Sequence, residues 1–94
     1  MAPHALVLSA LHALARRGMR TTGRALAEAT TLDRDAILAA VRVLDRRGLV
    51  RPLGAELRLT LAGFAVASAL AAHMARRGQV LVLPVGAAAV ARAA

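Results

Sequence analysis

The chain has 94 residues, 59% of them hydrophobic, no cysteine, and a formal net charge of +8 with all thirteen positive side chains being arginine. This length bounds the fold to one domain with a modest core, of a size that often gains stability by pairing. The missing cysteine excludes a disulfide framework, a thiolate metal site and a thiol redox sensor, and the positive balance suits a polyanionic partner.

A first helix is expected over about Pro3–Arg17. Proline suits a first helical turn, Val7, Leu11 and Leu14 recur at helical spacing with Leu8 beside them, and Gly18 follows two arginines at the end. The stretch MAPHALVLSALHALARRG has the look of a secretion signal, but no charged segment precedes the apolar run and His12 interrupts it. It reads as the first helix of a cytoplasmic protein. A second helix starts at Thr21 or Thr22, either of which can cap it, and runs through GRALAEAT with Leu26 and Ala29 inward. Thr30-Thr31-Leu32 is a break. Asp33 caps a third helix that ends at Arg47, with Gly48 just beyond.

Leu49–Leu53 is short and apolar, and its Pro52 marks an edge strand. Gly54-Ala55 turns the chain, and Glu56–Thr60 alternates as a strand with one buried face. Thr60 then caps a long fourth helix ending near Arg77-Gly78. Its weakly polar stretch, Leu61–Ala75, contains Gly63, Ser68 and His73 and is shorter than the roughly 18 apolar residues a membrane span needs. Gln79–Val85 (QVLVLPV) is a third strand candidate, and GAAAVARAA a short helix or tail. Residues 1–78 thus form the expected domain, with 79–94 an extension suited to dimerisation. Arg-Arg-Gly recurs at 16–18, 46–48 and 76–78. The intervening residues do not match, so the recurrence is expected to reflect helix ends: glycine in the left-handed conformation, and cations against the negative end of the helix dipole.

The order of helices and hairpin, with residues 25–51 (ALAEATTLDRDAILAAVRVLDRRGLVR), resembles the winged helix-turn-helix transcriptional regulators of the MarR, ArsR and PadR type. The resemblance covers about residues 5–77. It rests on Leu26-Ala27, on Leu32, on Ile37, Val41 and Leu44, on Arg47-Gly48-Leu49-Val50 and on Leu59-Thr60-x-x-Gly63. It implies a mainly helical fold with a small β-hairpin, DNA as partner, and the third helix as the one entering a groove. Three features depart from the pattern: Thr30-Thr31 where glycine is common, a hairpin tip without a cation, and an alanine-rich third helix.

A helical wheel of the third helix puts Ile37, Val41 and Leu44, with Ala40, on the core side and Asp35, Ala39, Arg42, Val43 and Arg46 opposite. Arg42 can bond guanine O6 and N7, or pair with Asp45 or Asp35. Asp35 can accept from cytosine N4, or serve the helix dipole. Ala39 can touch only a thymine methyl, and Val43 suits a partner or tertiary contact. Phosphate contacts are expected from Thr22 and Arg24 at the start of the second helix, from Arg34 and Arg46, and from Arg51 and Arg58 on the strands.

Phe64, Leu70 and Met74 on the alanine-rich fourth helix, with Leu8, form the expected homodimer interface. His4 and His12 are eight apart, His73 is distant, and the five acids are scattered. Neither metal-ligand spacing nor an acid–base pair or nucleophile set is visible. The histidines read as helix-surface residues, and no enzyme activity, metal or cofactor is expected. Alternatives to a small dimeric regulator are a winged helix that binds protein within a larger assembly, and a non-specific nucleoid protein.

Overall fold

The computed structural model describes residues 2–78. Four helices, α1 (Pro3–Arg16), α2 (Gly23–Thr30), α3 (Arg34–Arg46) and α4 (Leu61–Arg76), are accompanied by one antiparallel hairpin of β1 (Val50–Leu53) and β2 (Glu56–Leu59), inserted between α3 and α4. The protein is therefore mainly helical, and the expected element order holds to within one or two residues at each end. The third strand candidate and the tail, residues 79–94, lie outside the described residues.

Helix starts follow from hydroxyl and carboxylate caps. Thr22, Asp33 and Thr60 each accept a hydrogen bond from the backbone N–H three residues on, at 3.1, 2.8 and 3.0 Å. Each such bond satisfies a donor that the first helical turn leaves unpaired. Helix ends follow from glycine. Gly18, Gly48 and Gly78 all lie at positive φ just past α1, α3 and α4. After α3, the Gly48 and Leu49 N–H groups donate back to Asp45 and Leu44 carbonyls at 3.0 and 2.9 Å, which is the Schellman arrangement. The three Arg-Arg-Gly segments are three helix terminators.

Helix α2 ends differently. Thr31 sits in the left-handed region at φ 59°. A β-branched residue there is strained, so the threonine at the break between α2 and α3 is more costly than its small size suggests. Thr30 supports the bend by donating its hydroxyl to the Leu26 carbonyl at 2.7 Å.

Helix α1 is the centre of the molecule. It packs against α2, α3, α4 and β2, so its middle is covered all round. Val7, Ala10 and Leu11 are fully buried, and Leu8, Ser9 and His12 nearly so. This corrects two expectations. Leu8 is spent in its own core, and His12 is not a surface residue: its Nε2 lies 3.3 Å from the Ser68 hydroxyl and its ring meets Phe64 edge-on at 5.6 Å. Burial, with the Arg16 cation adding to it, holds the His12 pKa below the ordinary imidazole value.

The hairpin is anchored along β2 and at its base. Val50 pairs with Leu59, Arg51 with Arg58, Pro52 with Leu57 and Leu53 with Glu56. Along its other edge β2 meets Thr22 in an isolated bridge, and the Leu57 N–H donates to the Thr21 carbonyl at 2.8 Å. β1 is thus the outer strand, where Pro52 costs no ladder bond. Gly54 is at positive φ while Ala55 is not, the pattern of a type II′ two-residue turn. At the base, the Leu49 carbonyl accepts from the Thr60 N–H at 3.1 Å, and the Thr60 hydroxyl donates to the Gly48 carbonyl at 2.6 Å. Gly63 lies so close that a Cβ on it would fall 1.9 Å from the Leu49 oxygen. The Leu59-Thr60-x-x-Gly63 pattern is the sequence trace of this junction.

Candidate nucleic-acid interface

Helix α3 carries the candidate groove-facing residues. Its core side, Ile37, Ala40, Val41 and Leu44, is buried against the rest of the domain. The opposite side exposes Asp35, Ala39, Arg42 and Arg46, which recur at helical spacing and so share one face. Val43 is half-buried at its margin. Leu38 is also exposed, at 44%. Leu38 is not among the residues that the sequence singles out, although on a helical wheel it lies well off the Ile37–Val41–Leu44 stripe.

Among the described residues no ion pair neutralises the arginines of this face. Among the described residues the ion pairs are Arg20–Glu56, at 3.9 Å, and Arg24–Glu28, at 3.7 Å. Arg42 therefore pairs with neither Asp45 nor Asp35. Arg34, Arg46, Arg51 and Arg58 likewise have no carboxylate within 4.0 Å among the described residues. Asp33 is occupied as the cap of α3.

The start of α2 offers less than the sequence suggests. The Thr22 oxygen already accepts from Ala25 N–H, leaving its proton to donate, and Arg24 shares its charge with Glu28 across one exposed turn. The Gly23 and Arg24 N–H groups lack intrahelical acceptors by virtue of their position. Arg24 and Arg34 sit in the first turns of α2 and α3, where a cation opposes the helix dipole unless an anion joins it.

The hairpin shows the strongest electrostatic oddity. Arg51 and Arg58 are direct cross-strand partners, and both are exposed. Their strand positions alternate with the inward Val50, Leu57 and Leu59, so both guanidiniums leave the same outer face. Like charges set opposite one another destabilise a hairpin.

Of the expected dimer residues, Leu8 is 3% and Met74 7% exposed. Met74 turns toward α1, its sulfur 4.0 Å from the Ser9 hydroxyl. Both are taken up by the domain itself because α4 crosses back over α1. Phe64 keeps 39% exposure despite its contact with His12, and Leu70 is half-buried. The outward face of α4 instead presents Leu61, Ala65, Val66, Ala69 and Ala72, of which Leu61 is 89% exposed.

Among the described residues no helix is long and apolar enough to cross a membrane, and no three His, Asp or Glu side chains are grouped to hold a metal ion. Comparison of the chain with family models, curated proteins and solved structures gives no match in any of the three.

Proposed function

We propose that the protein is a winged helix-turn-helix DNA-binding protein, acting as a small dimeric transcriptional regulator, with α3 in the major groove and the hairpin as a wing. The observation that carries this reading is the Arg51–Arg58 pair. Two guanidiniums held side by side on an exposed strand face, without carboxylates, are electrostatically unfavourable in the free protein and favourable against a phosphate. Arg34, Arg42 and Arg46, which have no carboxylate partner among the described residues, extend the positive charge along α3. The polar contacts available are richer toward phosphate than toward bases, so backbone positioning outweighs direct readout.

The test is a titration of random and genomic duplexes at several salt concentrations. Binding is expected to weaken with log-log slope near −0.9 per phosphate contact, so about four to six contacts give a slope of roughly −4 to −5. Arg51→Ala should weaken all sequences alike, whereas Arg42→Ala should flatten sequence preference. No binding at about 50 mM salt, where phosphate contacts are strong, would remove DNA as the partner.

A second reading is a winged helix that docks a protein. The exposed Leu38, Leu53 and Leu61 and the uncharged Gly54-Ala55 tip favour it. Under that reading, affinity for duplexes is absent and Leu38→Asp disrupts the assembly instead.

A further inference from the structure

The exposed side chains of α3 form a narrow chemical inventory. They are arginines, aspartates, Leu38 and Ala39, with no amide and no hydroxyl among them. Leu38 and Ala39 precede Arg42 by four and three residues. A helical side chain leans toward the N-terminus, so the Arg42 stem covers the turn that Leu38 and Ala39 supply. The burial of Ile37, Val41 and Leu44 fixes this orientation, because turning Leu38 inward would expose that stripe.

In the major groove each base pair presents a distinct edge. Guanine offers two acceptors, which match a guanidinium. Adenine offers one acceptor and one donor, which an amide matches and this helix does not. The one apolar feature is the C5 methyl of a pyrimidine. We propose, on the reading of the protein as a DNA-binding winged helix, that α3 recognises a guanine through Arg42 and the 5-methyl group of a neighbouring pyrimidine through Leu38 and Ala39. Leu38 is then a specificity-determining residue, and the bare Ala39 is what lets the helix approach the methyl.

Charge complementarity favours a duplex as the occupant of this apolar patch. Arg34 and Arg46 flank it on α3, and the whole chain carries +8. Asp35 and Asp45 lie at the two ends of α3 beside Arg34 and Arg46 and offset those cations in part, so Arg42 is the cation of the exposed face with no acidic residue next to it in sequence. Thymine and 5-methylcytosine share the methyl, and the experiment separates them.

Duplexes are selected from a random pool, and the best is resynthesised with uracil replacing each thymine singly. In a parallel series each cytosine is replaced by 5-methylcytosine. Expected is an enriched guanine beside a pyrimidine, and a loss of about fourfold when the methyl of that pyrimidine is absent, the effect of one methyl-sized apolar group. A loss confined to thymine→uracil names thymine, and a gain confined to 5-methylcytosine names the methylated base. Leu38→Ala should abolish the methyl effect and keep the guanine preference, while Arg42→Ala does the reverse. Because Leu38 is exposed, its variant should fold, which circular dichroism checks. Equal affinity with and without every methyl, or a Leu38→Ala protein that still senses it, overturns the proposal but leaves DNA binding intact. Absence of any duplex binding overturns both.

Discussion

Thr31 concentrates strain in one residue. A non-glycine residue in the left-handed region costs about 1–2 kcal/mol, and Thr31 is the one such residue among those described. Thr31→Gly removes that cost but adds chain entropy to the unfolded state, about 0.5–1 kcal/mol. The variant should be more stable by about 0.5–1 kcal/mol, seen as a higher urea midpoint with an unchanged slope. His12 places a different condition on the same core. Its lowered folded pKa means the unfolded chain binds the proton more readily, so the stability contribution is fully present above the unfolded value near 6.5 and is lost as pH falls through and below it. Denaturation measured from pH 7.5 to 5 should show stability falling with acid, and His12→Gln should flatten that slope while keeping a polar partner for Ser68.

Helix α4 and the hairpin meet at a junction with no spare volume. Alanine is ordinarily about 1 kcal/mol better than glycine inside a helix. At Gly63 the sign reverses, because the new Cβ would meet the Leu49 carbonyl, a backbone atom that cannot swing aside. Gly63→Ala should destabilise by about 2–3 kcal/mol or more, by analogy with overpacked cores, and chemical denaturation measures it. The hairpin gives the opposite case, a position where stability and binding conflict. Arg58→Glu places an opposite charge across from Arg51, so at low salt the protein should gain up to about 1 kcal/mol. The same variant should bind duplexes markedly less tightly, and thermal melting and anisotropy on one preparation measure both. If affinity is unchanged, this face of the hairpin does not touch phosphate.

The molecule as a whole was legible in the sequence wherever one residue type has one local job. Thr22, Asp33 and Thr60 announce helix starts and Gly18 and Gly48 helix stops, because caps depend on neighbours a few residues away. What depends on distant chain was not legible. The bridge from Thr21 and Thr22 to β2 has no local pattern. Likewise, apolarity marks Leu8, Met74 and Leu38 alike, and only the crossing of α4 over α1 and the orientation of α3 decide that the first two are buried and the third is not. With Leu8 and Met74 withdrawn, pairing through α4 would use its outer face. Sedimentation should then show a dimer that Val66→Glu dissociates with its cooperative melting retained, since Val66 is 45% exposed. The base of the hairpin also bears on how the protein could be altered. Its two strands are fastened by Thr60 to Gly48 and Leu49, and by Thr21 to Leu57, independently of the tip. Gly54-Ala55 is therefore an open insertion point: a basic loop grafted there would carry added positive charge beyond the present tip, and each doubling of loop length costs only about 0.6 kcal/mol of closure entropy.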